Sequence, residues 1–325
     1  MERLTEKAVK LGAEADSPAE YGPRAWWDIF KRVWTKSGEH DVGFLAAGVA
    51  FFAFLSLAPA LGLVVMLYGL FSEPTTILED MVGITQVVPP QAALLINDQL
   101  SNLIRIAAAT HGLAVIPAVL LALYGASGAA RGIISSLNVI YEQKEKRSVL
   151  YLFGLAVAIS VGAVILAVLG LLAVSVTAFL QSLVAGISPI VTLLLRAGTW
   201  LLAAGLVTTI LTLVYRYGPC RALAKWRWLS LGSASATLLW LAGSLLFGWY
   251  VSAAGYETTY GSLGTVVAVI MWMYVSAYAM LLGAFLDAEA ERQTARDSTT
   301  GKPLPLGERG AIMADSSAAL KDHSP

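Results

Sequence analysis

Thr258 to Leu286 holds no charged residue over 29 consecutive positions. At about 1.5 Å of rise per residue, a helix of that length exceeds the roughly 30 Å hydrocarbon layer of a bilayer. The stretch is therefore expected to cross a membrane. Along it Thr265, Trp272, Ser276, Gly283 and Asp287 recur at steps of seven, four, seven and four, the spacing of one helical face. That face is polar or small, whereas the others are Val, Ile, Met and Leu. It is either a packing stripe against neighbouring helices or the lining of a polar interior.

Four further charge-free stretches carry the same signal: Val42 to Ser72, Ile106 to Ala130, Ser148 to Leu195 and Trp228 to Tyr256. The third is too long for one crossing and is divided at the polar, Gly- and Pro-containing break between Gln181 and Pro189, giving spans near 149–178 and 190–215. The reading is an all-α polytopic membrane protein with six transmembrane helices. Composition agrees, with 57% hydrophobic and 14% charged residues and a mean hydropathy of +0.69. Domain by domain, residues 1–41 form an N-terminal segment, 42–290 the six-span membrane domain, and 291–325 a tail of Ser, Thr, Gly, Pro and mixed charge expected to be disordered. About forty mostly polar residues precede the first apolar run, so no cleavable signal peptide is expected.

Lysine and arginine are sorted by position. Arg24, Lys31, Arg32 and Lys36 flank the first span, and Arg131, Lys144, Lys146 and Arg147 lie between the second and third. Arg216, Arg221, Lys225 and Arg227 follow the fourth, and Arg292 and Arg296 follow the last. With six crossings these share one side, against only Arg105 and Arg196 on the other. The positive-inside bias then places both termini in the cytoplasm. Trp200, Trp249, Tyr256 and Tyr260 on one side, with Tyr215, Tyr217, Trp226 and Trp228 on the other, suit aromatic belts. Two amphipathic helices are expected at the interfaces. One spans 23–36, with Trp26, Trp27, Phe30, Val33 and Trp34 on one face; the other follows Pro89 and Pro90, with Ala92, Ile96, Gln99, Leu100, Leu103 and Ala107 on one face.

The net charge is zero, so no basic surplus favours nucleic acid, and none is expected as a partner. His40, His111 and His323 match no ligand spacing, and the single Cys220 excludes an internal disulfide and a cysteine metal cage. No P-loop, Ser-His-Asp set or dinucleotide fingerprint is present, so neither an enzyme nor a cofactor is expected. Asp, Glu and His are also absent from mid-span positions, which disfavours simple ion-coupled transport. Ridges of small residues, Gly154, Ala158 and Gly162 in the third span and Gly232, Ala236, Ser244 and Gly248 in the fifth, predict close helix packing. Pro59 predicts a kink in the first span.

The candidate functional groups are Asp41, Arg131, Asn138, Tyr141, Arg147, Arg216 and Asp287 at the basic helix ends, with Tyr260, Trp272 and Ser276 on the last span. Asp41 opens a helix, where a carboxylate is favoured by the dipole. Asp287 opposes its own helix dipole and is expected to pair with Arg131 or Arg147, unless its helix continues well past Glu289.

Together, Asp41, AAGVAFFAFLSLAP (46–59), RGIISSLNVIYEQKEKRS (131–148), YRYGP (215–219) and TYGSLGTVVAVIMWMYVSAYAMLLGAFLDAE (259–289) resemble the YihY/BrkB family of bacterial inner-membrane proteins. The resemblance covers about 25–291, with matching positions that include Ser56, Pro59, Asn138, Tyr141, Pro219, Tyr260, Trp272 and Gly283. It implies six spans, cytoplasmic termini and residence in the cell inner membrane. Members have been labelled virulence-related, linked to lipid or lipopolysaccharide export, or named ribonuclease BN, a label regarded as a misassignment. Many members carry Gly-Ala-Glu near the end of the last span where this chain has Gly283-Ala284-Phe285, so that glutamate's role does not transfer. Two functions follow as expectations. One is transport or flipping of a lipid or other amphiphile, with membrane lipids as partners. The other is a non-transporting envelope scaffold. Substrate, energy source and oligomeric state are not encoded legibly.

Overall fold

Helices form where the charge-free runs predict them, but their ends fall where other helices supply hydrogen bonds. The computed structural model describes residues 8–9, 11–68, 115–184, 189–253 and 262–321. They form α1 (Pro23–Glu39), α2 (Val42–Tyr68), α3 (Val115–Ala126), α4 (Gly128–Ile140), α5 (Val149–Val184), α6 (Pro189–Tyr217), α7 (Ser230–Ala253), α8 (Ser262–Gln293) and the short α9 (Ala318–Lys321). Among the described residues five helices, α2, α5, α6, α7 and α8, are long and apolar enough to cross a membrane. The outer-loop helix expected around 92–107 lies outside the described residues, as do Arg105, His111, Tyr256, Tyr260 and His323.

The second expected span, 106–130, is described only from Val115, and it breaks at Ser127. A backbone break at membrane depth must be satisfied by side chains, and here it is. Ser127 Oγ and Arg131 Nη2 both donate to the Tyr124 carbonyl, each at 2.9 Å. Ser56 Oγ, reaching across from α2, accepts from Ala129 N–H in the first turn of α4 at 3.2 Å. The α2 helix runs through Pro59 without interruption, and the proline ring seats against Gly125, where a Cβ would collide with it.

The main core gathers at one end of the bundle, where Val42, Ala46, Leu137, Tyr141, Tyr215, Leu229, Leu281 and Phe285 pack together. At that end all four basic segments meet. Arg147 Nη2 donates to Gly218 O, Arg221 pairs with Glu291, Arg32 with Glu289 and Arg292 with Glu142. Tyr215 and Trp228, expected in an aromatic belt, are instead core residues, whereas Trp200, Trp249, Tyr217 and Trp226 are exposed as a belt requires.

Three findings come from this end. The last helix continues past Glu289 to Gln293, the course that the sequence left open, and Asp287, Glu289, Glu291 and Gln293 are all buried. Secondly, α1 is only partly an exposed aromatic stripe. Ala25 and Ile29 pack on Trp228, Leu286 and Ala290, with Trp26 and Val33 turned toward them, leaving Trp27, Phe30 and Trp34 exposed at 72%, 54% and 82%. The third concerns the tail: residues 294–317, expected to be disordered, are folded. Arg309 is 6% exposed and donates to the carbonyls of Ala295 (2.7 Å), Arg296 (3.1 Å), Leu304 (3.0 Å) and Ala314 (2.6 Å). Asp315 Oδ1 accepts from Gly307 N–H and Arg309 N–H. The segment is tied to the loop after α6 through Lys225 N–H to Ser298 O and Thr300 N–H to Leu223 O. A guanidinium that collects carbonyls organises a chain that composition alone marks as too polar to fold.

Candidate functional site

Asp287 is the residue most reinterpreted by the structure. Its Oδ1 accepts from Gly232 N–H at 2.6 Å, in the first turn of α7. A carboxylate at a helix N-terminus satisfies an orphan amide and sits in a favourable dipole. Asp287 thus caps α7 from a different helix, and it pairs with neither Arg131 nor Arg147. Its environment is otherwise closed. Arg221, with its side chain fully buried, pairs with Glu291 one turn further along α8, and its guanidinium lies over the Tyr141 ring at 4.4 Å. Burial works against the Arg221 charge, but Glu291 and Tyr141 outweigh it and hold its pKa above the ordinary arginine value. Ser298 Oγ closes the cluster with a 2.6 Å bond to Glu291. Arg216 is likewise buried, donating to Ala224 O at 2.5 Å with its guanidinium 4.4 Å from the Trp226 ring.

At Trp272, Ser276 and Gly283 the polar stripe of the last span meets α7. Trp272 Nε1 donates to Ser244 Oγ at 3.2 Å and Trp240 Nε1 to Ser276 Oγ at 3.0 Å, a reciprocal pair of bonds between α7 and α8. Below them Gly232 and Gly283 face one another so closely that a Cβ on either would collide with the other's carbonyl. Trp272 and Ser276 therefore tie α7 to α8. The ridge expected on the third span is different: added Cβ atoms at Gly154 and Gly162 meet nothing within 4 Å.

What remains is a groove elsewhere, between α3, α4 and the start of α5, with a volume of about 810 Å³. One wall is a polar stripe on α4: Arg131, Ser135 and Asn138, at i, i+4 and i+7. The other walls are apolar, with Leu120 and Tyr124 from α3 and Val149, Leu150, Leu152 and Phe153 from α5. Ala130, Ile134 and Ala156 pack beneath. The Tyr124 and Phe153 rings stack at 6.5 Å across it. Leu120, Val149 and Leu150 are exposed at 54%, 84% and 79%, so among the described residues the groove opens on the flank of the bundle rather than into it.

At one end of the groove a strap is drawn tight. Glu145 accepts from Asn138 Nδ2 (2.8 Å) and from Arg147 N–H (2.9 Å), Nε (2.8 Å) and Nη2 (2.7 Å). Asn138 Oδ1 in turn accepts from Cys220 N–H at 2.7 Å, and Arg147 also donates to the carbonyls of Tyr217 and Gly218 at the end of α6. Bonds from Arg147 hold the Glu145 carboxyl at about 2, below its ordinary 4.5. Arg131 belongs to the same groove but not to the strap. Its guanidinium lies 3.8 Å from the Tyr124 ring centroid.

The predicted residues therefore divide. Arg131, Asn138 and Arg147 come together at the groove and its strap; Tyr141 and Asp287 fall in the closed cluster. Asp41 is an exposed turn residue with φ 49° whose carbonyl receives the first amides of α2. Tyr260 lies outside the described residues. Glu145, Arg221 and Glu291 were missed. Glu145 is the one acid inside the basic run 144–147 and is separated from Arg147 by a single residue, a signal present in the sequence. Arg221 and Glu291 are 70 positions apart and carry none. Among the described residues no cluster of His, Cys, Asp and Glu could hold a metal ion.

The family described as virulence factor BrkB matches residues 33–305. The chain is similar to the ribonuclease-like protein YfkH of Bacillus subtilis, 25% identical over 267 residues, covering 80% of this chain and 94% of that protein. It is also similar to a UPF0761 membrane protein of Rhodospirillum rubrum, 28% identical over 257 residues, covering 77% of this chain and 56% of that protein. A second UPF0761 membrane protein, from Idiomarina loihiensis, is 34% identical over 80 residues, covering 24% of this chain and 28% of that protein. No solved structure matches the chain.

Proposed function

The chain belongs to the virulence factor BrkB family of membrane proteins, and from that premise we propose that it binds a membrane amphiphile in the α3–α4–α5 groove and moves it between leaflets of the bacterial inner membrane. The observation that carries this is the groove itself: a polar stripe on one helix faces apolar walls, and the opening is lateral. A headgroup would follow the stripe while its chains stay among the exposed leucines and valines, so neither part leaves a compatible environment. The reading places the basic end, with both termini, in the cytoplasm. It includes no catalysis; the ribonuclease-like name belongs to the relative, and among the described residues neither a general acid–base pair nor a basic RNA-binding surface supports its extension to this chain.

Purified protein in liposomes should exchange a fluorescent phospholipid between leaflets faster than protein-free vesicles, and Ser135→Trp, which fills the groove, should bring the rate back to theirs. Equal rates with and without the protein, across several headgroups, would remove the proposal. One observation favours the scaffold reading instead: Trp272 and Ser276, on the polar face of the last span, are bonded to α7. A single protein partner recovered stoichiometrically by crosslinking in cells, together with no lipid exchange, would decide for it.

A further inference from the structure

Arg131 lines the groove, and among the described residues no carboxylate pairs with it; the one hydrogen bond of its guanidinium goes to the Tyr124 carbonyl. Of five guanidinium N–H donors, four are left for a ligand or for water. The other charge of the groove is spent. Glu145 sits near Asn138, seven residues or roughly 10 Å along α4 from Arg131, and its oxygens already receive four donors. Among the described residues the groove therefore offers an unpaired cation and no free anion. Desolvating a lone guanidinium beside leucines and a tyrosine is unfavourable unless an oxyanion accompanies it, and the planar fork fits a phosphate or carboxylate in two-point contact.

Resting on the groove reading above, we infer that Arg131 is the headgroup anchor of the site and selects lipids with a net-anionic, phosphate-bearing headgroup over zwitterionic ones. Both kinds carry a phosphodiester that the guanidinium can clasp. They differ in the group esterified beyond that phosphate. An ammonium group on the headgroup would be brought beside Arg131 with no free carboxylate to receive it, whereas a neutral glycerol could hydrogen-bond along Ser135. The Tyr124 ring, 3.8 Å from the Arg131 guanidinium carbon, and the bond to the Tyr124 carbonyl hold the fork at the groove wall before the lipid arrives.

The test is binding to the full-length chain in detergent, with short-chain phosphatidylglycerol, short-chain phosphatidylcholine and inorganic phosphate as probes, read by native mass spectrometry. Phosphatidylglycerol should bind about tenfold more tightly than phosphatidylcholine, the scale of one charge-assisted contact. Arg131→Gln should erase that preference and Arg131→Lys, which keeps the charge without the fork, should keep part of it. Because Arg131 also closes the end of α3, the thermal midpoint of each lipid-free variant is measured, and a midpoint close to that of the parent makes the comparison valid. Equal binding of both lipids, unchanged in Arg131→Gln, would overturn the anchor. If Ser135→Trp still expelled both, the groove reading would survive that result; if Ser135→Trp left both bound, the groove would fall with it. Inorganic phosphate that competes at the same concentration as the lipid would overturn the lipid assignment in favour of a soluble phosphate.

Discussion

Asn138 spans two loops with a single side chain: its amide nitrogen holds Glu145 and its amide oxygen holds Cys220 N–H. Such a residue is legible in sequence as a polar group at a helix end, but its two partners are not, because one is 82 positions away. The strap built on it has a definite pH behaviour. Glu145 titrates near 4.5 unfolded and about 2 folded. A carboxyl whose folded value is depressed stabilises fully above its unfolded value and loses that contribution as pH falls through the folded one. The strap should thus be insensitive to pH from about 8 down to about 5 and weaken between about 4.5 and 2. In Glu145→Gln the contribution is absent throughout, so the difference in thermal midpoint between parent and variant should be flat above about pH 5 and shrink below it. A difference that instead changed between about pH 6 and 8 would mean that another group holds the loop.

At the scale of elements, the sequence told which stretches are helices far better than which faces meet. Two ridges of small residues look alike, yet among the described residues only one is an interface. Gly232 and Ala236 pack on Gly283, whereas Gly154 and Gly162 have open space around them. Small size permits close approach, but it takes two such ridges facing one another to produce it. The consequence is a contrast in mutational cost. Gly232→Ala and Gly283→Ala should each destabilise the bundle by about 1–3 kcal/mol through overpacking, and the double variant should cost less than the sum because both relieve by separating α7 from α8. Gly154→Ala and Gly162→Ala should be neutral or stabilise by about 0.5–1 kcal/mol, since a glycine inside a helix is replaced without a clash. Unfolding in mixed micelles on increasing dodecyl sulfate would read all five variants on one scale, and a similar loss at Gly154 would show that α5 has a partner on that face.

For the whole molecule, the most informative sequence feature was where its charges lie, and the structure shows why. Segments of chain as distant as Arg32, Glu142, Arg147, Arg221 and Glu291 meet at one end of the bundle. Hydropathy could locate the spans, since that property is local. It could not foresee that Asp287 caps α7, that Ser56 satisfies α4, or that Arg309 folds the tail, because each pairs groups far apart in the chain or uses a polar residue as a nucleus. These cross-helix bonds have a common cause: helix ends near lipid have little water to complete their hydrogen bonds, so neighbouring helices do so. The shared end also makes orientation an all-or-none property. If Lys146 is cytoplasmic, so are α1, the loop after α6 and residues 294–317. In a Cys220→Ser background, Lys146→Cys should react with a membrane-impermeant maleimide in inverted inner-membrane vesicles and resist it in intact spheroplasts. A cysteine at Arg227 should behave identically, because two loops pinned to one end cannot lie on opposite faces of a bilayer. Labelling of either one from outside would reverse the assignment for both, and the anchor at Arg131 would then have to be sought on the outer leaflet.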